Sequence, residues 1–184
     1  MTDDQSTLAG DLPGDVRIRL LRGSDAERMG AAYRRNREHL APWEPARSGE
    51  FFTTEGQSAN IGGKLGMFAA GTGVPWILLA GDEAVGAITL SGIVRGPFRS
   101  ANLGYWVDQD VIGQGVGSAA VAHVVEAARG PLDLHRIQAA TLPHNAASQA
   151  VLRRAGFERI GLAPEFLQIA GSWQDHVLFQ RILP

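Results

Sequence analysis

The sequence predicts an α+β fold in which a mixed, mostly antiparallel sheet is flanked by helices. Three observations carry that prediction. Two apolar runs, Val74 to Ala80 and Ala84 to Ser91, are split by Gly81-Asp82, which reads as a β-hairpin. A strand-like run, Leu103 to Val107, leads through Gly113, Gly115 and Gly117 into an apolar helix face made by Gly117, Val121, Val124, Val125 and Ala128. Around these, strand, two helices, antiparallel strands, strand–turn–helix, strand, helix and strands follow one another with no internal repeat.

Each element has its own warrant. Met1 to Asp15 is acidic and polar and reads as a disordered tail before one domain over 16–184. Val16 to Leu21 alternates apolar residues with arginine, as a strand with one wet face does. Ser24-Asp25-Ala26-Glu27 fits a capping box, with a helix following to about Leu40 and ended by Pro42 and Pro45. Along that helix, Arg34, Arg35 and Arg37 read as a solvated face. Trp43, between the prolines, reads equally as the lining of an acceptor pocket and as a lid on the helix end.

Thr54 to Ala70 reads as a helix weakened by four glycines, and Gly92 to Ser100 as a loop. Gly130-Pro131 stops the helix after the glycine turn, and Leu134 to Thr141 is the next strand. Asn145 is a good N-cap and Gly156 a good C′ residue for a short helix between them. Phe157 to Gly161, Phe166 to Ala170 and Val177 to Leu183 read as strands, with a turn at Gly171-Ser172.

Composition narrows the function. A chain of 184 residues is long enough for a sizeable core. Seventeen basic against nineteen acidic residues leave a formal charge of −2, with nothing to suggest nucleic acid or an anionic membrane as partner. The absence of cysteine excludes disulfides, zinc–thiolate sites and a covalent acyl-cysteine intermediate. No His pair has metalloprotease spacing, so no metal is expected. The N-terminus is not a signal peptide and no apolar run approaches about 20 residues, so the cytoplasm is the default.

The glycine turn is where chemistry concentrates. A helix opened by glycines presents unpaired N–H groups and the positive end of its dipole, a setting for phosphate. A nucleotide P-loop is excluded because no Gly-Lys-Ser/Thr follows. Gly115, Gly117 and Ala120 match a dinucleotide pattern, but Asp133, at the right spacing for a ribose contact, precedes its strand instead of ending it. A turn needed only for tight packing is the remaining alternative.

The turn Ile112-Gly113-Gln114-Gly115-Val116-Gly117 resembles the pyrophosphate loop of the GNAT superfamily of N-acetyltransferases, with Ile112 where Arg or Gln is usual. The resemblance runs from about Val16 to the end and is nearest to RimJ-type ribosomal-protein-alanine N-acetyltransferases. Asn36-Arg37, Leu40-Ala41-Pro42-Trp43-Glu44-Pro45, Val94-Arg95-Gly96 with Phe98, and Leu103-Gly104-Tyr105 carry it. So do His135-Arg136-Ile137, Pro143-His144-Asn145, Gly156-Phe157-Glu158 and the segment from Gly171 through Trp173 and Asp175 to Leu178.

The resemblance implies the GNAT fold and acetyl transfer from acetyl-CoA to a primary amine in one ternary complex. The implied acceptor is the N-terminal amine of a ribosomal protein; a small-molecule amine and a non-catalytic acyl-CoA sensor are the alternatives. The strand 103–107 would splay from 134–140 to admit the pantetheine, with backbone groups near Trp106 and Val107 pairing with it. The N–H groups of Gln114, Gly115, Val116, Gly117 and Ser118 would hold the pyrophosphate, and Asn145 the pantetheine arm or the acceptor. Ser148, at the start of its helix, is the candidate general acid toward the leaving thiolate. Glu44 and Glu165 are the carboxylates to consider as base, while Asp175, within a family motif, also reads as a residue that only orients a turn. A monomer or homodimer is implied.

Overall fold

In a computed structural model that describes residues 8–184, eight strands make one sheet. They are β1 (Gly10–Leu12), β2 (Val16–Leu20), β3 (Gly73–Ala80), β4 (Glu83–Val94), β5 (Ser100–Val107), β6 (Arg136–Thr141), β7 (Glu158–Ile169) and β8 (Ser172–Ile182). Their order across the sheet is β1-β2-β3-β4-β5-β6-β8-β7. Every pair is antiparallel except β5 with β6. This is the mixed, mostly antiparallel sheet expected, and Gly81, at φ +57°, turns the β3–β4 hairpin.

Helices cover both faces. α4 (Val116–Arg129) and α5 (Ala146–Arg154) lie on one face, where Val121, Val124 and Leu152 join Trp76, Ile88 and Ile137 in a dry core. α1 (Ala26–Arg35), the one-turn α2 (Arg37–Leu40) and α3 (Thr54–Ala69) cover the other face, where Met29, Tyr33 and Ile61 pack with Ile77 and Trp106. Alternation along β3 sends Trp76 and Leu78 to the first core and Ile77 and Leu79 to the second. Each such fully buried side chain contributes about 1.5–3 kcal/mol, so both faces hold the sheet.

Several expectations are corrected. Residues 8–15 are not a tail: Leu8 is buried, accepts the Trp76 Nε1 hydrogen through its carbonyl at 2.9 Å, and leads into β1. Residues 1–7 of the expected tail lie outside the described residues. Ser24 does not cap α1. Arg19 draws the Asp25 carboxylate inward with two bonds of 2.8 and 2.7 Å, and Asp25 accepts the Arg22 N–H at 2.8 Å.

The helix expected from residue 26 to 40 breaks at Asn36, which is fully buried. Its amide donates to Ala32 C=O at 3.0 Å and to Asp108 at 2.7 Å, and accepts the Gln109 N–H at 2.9 Å. The three arginines are exposed, as expected of a solvated face, and each is also engaged there. Arg34 donates to Phe52 C=O at 2.6 Å, Arg35 to Asp108 at 2.6 and 2.8 Å, and Arg37 lies 4.6 Å above the Phe52 ring. β4 extends into the expected loop, with a shift of register after Ser91 that Gly92 permits at φ +59°. β7 is continuous where two strands were expected, because the irregularity between Ala163 and Leu167, at Pro164-Glu165, bulges the strand without ending it.

Candidate active site

The β5–β6 ladder stops halfway. Parallel pairing runs from Ser100↔Arg136 to Leu103↔Ala139 and then ends, leaving Gly104 to Val107 without a partner on that side. Asp108 N–H turns to Val85 C=O on the β4 side at 2.8 Å. By the two-residue alternation of a strand, Trp106 also directs its backbone to β4, while Tyr105 and Val107 direct theirs into the gap. Of the backbone groups expected near Trp106 and Val107 to pair with a ligand, those of Val107 face the gap and those of Trp106 face β4. The Trp106 ring donates to Tyr33 Oη at 2.9 Å and lies 4.8 Å from the Tyr33 ring.

At the end of β5 stands the glycine turn. Gly113 and Gly115 take φ +79° and +84°, and Gly115 is the left-handed N-cap of α4. Both stand in open space, so the glycines serve backbone conformation and access, not tight packing. Among the described residues, no acceptor meets the N–H groups of Gly115, Val116, Gly117 and Ser118. The Gln114 N–H, expected in the same set, turns back to Val111 C=O at 3.4 Å, and its side chain donates to Asp110 C=O at 2.8 Å. Ile112, in place of a polar side chain, is about half exposed.

This turn is held by Asp108. Its buried carboxylate accepts from Arg35, from the Asn36 amide at 2.7 Å and from the Asp110 N–H at 3.0 Å. Burial alone would raise its pKa. The Asp110 N–H, Asn36 and Arg35 outweigh that and hold it below the usual carboxylate range. α1 is thus tied to the loop that presents the orphan amides.

Across the gap, Asn145 caps α5 as expected, its Oδ1 accepting the Ser148 N–H at 3.0 Å. Ser148 Oγ lies 2.9 Å from Tyr105 Oη. Burial pushes the Tyr105 hydroxyl up to about 12, against the pull of Ser148, so it stays protonated near neutrality. Tyr105 is the partner that sequence reasoning missed; its place on β5, 43 residues before Ser148, gave no local signal.

A cavity of about 450 Å3 runs from this pair through the sheet to the α1/α3 side, where Tyr33, Trp43, Glu44, Arg47 and Lys64 line it. The Trp43 ring lies 5.4 Å from that of His144, tilted by 38°, and Glu44 C=O accepts the Ala170 N–H at 3.1 Å. The Trp43-Glu44 segment is thereby fixed as a cavity wall. Burial raises the Glu44 carboxyl above its ordinary range, while Arg47, 3.8 Å away, and Lys64 oppose the shift.

Glu165 is not brought to this cavity. It sits on the exposed β7 bulge at φ +46°, and its N–H donates to Asp175 at 2.9 Å. That bond gives Asp175 the turn-orienting role considered for it. Among the described residues, no group of three His, Asp or Glu is placed to hold a metal ion. No helix among them is long and apolar enough to cross a membrane.

The chain is similar in sequence and fold to known proteins. The acetyltransferase (GNAT) domain family matches residues 15–158. The ribosomal protein uS5-alanine N-acetyltransferase of Escherichia coli is 35% identical over 163 residues, spanning 88% of this chain and 84% of that protein. The crystal structure of ribosomal-protein-S5-alanine acetyltransferase from Vibrio fischeri has a TM-score of 0.90 at 33% identity, covering 95% of this chain and 96% of that one. Mycobacterium smegmatis RimJ, solved in complex with CoA-disulfide, has a TM-score of 0.89 at 30% identity, covering 95% of this chain and 86% of its own.

Proposed function

The chain belongs to the GNAT acetyltransferase family, and from that premise we propose that it transfers the acetyl group of acetyl-CoA to a protein's N-terminal α-amine. A ribosomal protein in the cytoplasm is the acceptor this reading favours, and attack is direct, in one ternary complex. The observation that carries it is the ladder break after Leu103↔Ala139, because the cavity passes there from the orphan amides' side of the sheet to the wall that holds Glu44.

The residues fit acetyl-CoA as substrate. Four unpaired amides at the α4 N-terminus suit its diphosphate. The gap-facing N–H and C=O groups of Tyr105 and Val107 suit the amides of the pantetheine arm. A gap-facing N–H also polarises the thioester carbonyl, in the manner of an oxyanion hole. The amine enters from the α1/α3 side. An α-amine, with pKa about 7.7–8.0 against about 10.4 for lysine, is partly neutral near neutral pH. Glu44, raised by burial, accepts its proton as the carbon–nitrogen bond forms. The coupled Ser148 and Tyr105 hydroxyls donate to the departing sulfur, whose free thiol has a pKa near about 8.5.

Thiol release from acetyl-CoA tests the proposal, measured with peptide, lysine side-chain and aminoglycoside acceptors. Turnover confined to peptides with a free N-terminal Ala or Ser supports it. Turnover confined to the aminoglycoside makes this a small-molecule enzyme, and tight binding with no turnover makes it a sensor.

A further inference from the structure

Lys64 is the only lysine in the chain; every other residue among the seventeen Lys and Arg is arginine. Arginine stays protonated at any working pH and is not acylated under these conditions. Apart from the chain's own N-terminus, Lys64 therefore carries the protein's one primary amine. It is not on the surface at large. It projects from α3 into the cavity that also holds Glu44, Tyr105 and Ser148.

Its surroundings are those of an acceptor. Lys64 has no ion-pair partner within 4.0 Å among the described residues, whereas Arg47 reaches Glu44 at 3.8 Å. Burial lowers its pKa, Glu44 pulls the other way, and Arg47 adds to the lowering. The nitrogen thus spends more time as the neutral nucleophile than an exposed lysine does, with a carboxylate nearby to take its proton.

We propose that Lys64 is an acetylation site of the enzyme itself, modified from acetyl-CoA when no acceptor fills the cavity. This rests on the reading of the β5–β6 gap as the acetyl-CoA site. The Nζ lone pair forms a bond to the acetyl carbonyl carbon and the carbon–sulfur bond breaks. Coenzyme A leaves as a thiolate and takes a proton from the Ser148–Tyr105 pair. The nitrogen loses a proton to Glu44, and solvent restores both groups. The products are one amide on Lys64 and one free thiol. The amide has no charge beside Glu44 and occupies the acceptor end of the cavity, so modified enzyme turns over peptide more slowly.

The single lysine makes the test direct. The wild-type protein is incubated with acetyl-CoA alone and then denatured. A lysine-specific protease cuts the unmodified chain once, after Lys64, and cannot cut the acetylated one; intact mass and peptide mapping separate Lys64 from the N-terminus. The uncut fraction is expected to accumulate at least about tenfold faster in wild type than in Gly115→Asp, because holding amine and thioester together multiplies the rate. Lys64→Arg is expected to carry no internal acetyl group, and its peptide turnover, whatever its starting rate, is expected not to decline on preincubation with acetyl-CoA as that of wild type does. A chain that stays cleavable while binding acetyl-CoA and acetylating peptides overturns this inference alone. Equal modification of wild type and Gly115→Asp also overturns it, as plain chemical acetylation. No acetyl-CoA binding by wild type, measured by calorimetry, overturns the underlying reading as well.

Discussion

Replacing Asp108 by alanine removes the carboxylate on which α1 and the loop after β5 both depend. Four bonds converge on it: Arg35 Nε at 2.8 Å, Arg35 Nη2 at 2.6 Å, Asn36 Nδ2 at 2.7 Å and Asp110 N–H at 3.0 Å. Its side chain is 1% exposed, while that of Arg35 is 31% exposed. Breaking a buried pair by removing one partner costs about 3–5 kcal/mol. Two features put this case at the lower end. Arg35 keeps solvent and a carboxylate, Glu83 at 3.8 Å, and Asn36 keeps its bond to Ala32 C=O. A loss of about 3 kcal/mol lowers the melting temperature of a chain this size by about 6–12 °C.

The pH dependence follows from the depressed carboxyl. Its stabilisation is full above the unfolded-state pKa, about 3.9 for Asp, and is lost as pH falls through the lower folded value. Melts of wild type and Asp108→Ala should therefore stay separated by a constant gap above about pH 5, and the gap should close under stronger acid. A variant melting within about 2 °C of wild type at neutral pH would refute the magnitude. A gap indifferent to acid would refute the charge as its origin.

Other substitutions separate chemistry from binding and packing. Ser148→Ala should lower kcat about 100-fold with acetyl-CoA affinity nearly unchanged, and adding Tyr105→Phe should lower it little further if the two hydroxyls act as one donor; equal losses in kcat and affinity would make Ser148 a positioning group. Glu44→Gln should remove the acid limb of the kcat profile. It should leave the melting temperature above neutral pH equal or higher, because a carboxyl raised by burial loses stability as pH rises through its pKa; a marked fall in melting temperature would contradict that sign. Gly115→Asp should abolish acetyl-CoA binding in calorimetry by setting charge and bulk against a phosphate, and undiminished affinity would remove the turn from the site. Gly56→Ala should destabilise by about 3 kcal/mol in denaturant melts, since the new Cβ would lie 2.0 Å from Glu50 C=O.

What could be read in advance was local. The β3–β4 hairpin, the glycine turn into α4 and the Asn145 cap are each written in a few adjacent residues, and each is found. What escaped depends on residues far apart in sequence. Asn36 ends α1 because Asp108, 72 residues on, takes its amide, and nothing between Arg35 and Arg37 announces that. Tyr105 meets Ser148 only because β5 and α5 face each other across the gap. Glu44 and Glu165 are equivalent carboxylates in the sequence. The fold turns one into a cavity wall and leaves the other on an exposed bulge. Which of Trp106 and Val107 turns its backbone to the gap depends on strand alternation, which is set by the Asp108–Val85 bond.

A crystal structure of the protein with acetyl-CoA tests the central claim most directly. The diphosphate should accept hydrogen bonds from the N–H groups of Gly115 to Ser118, with the pantetheine arm lying between β5 and β6 against the backbone of Tyr105 and Val107. Phosphates bound away from the α4 N-terminus, or a pantetheine outside that gap, would contradict it.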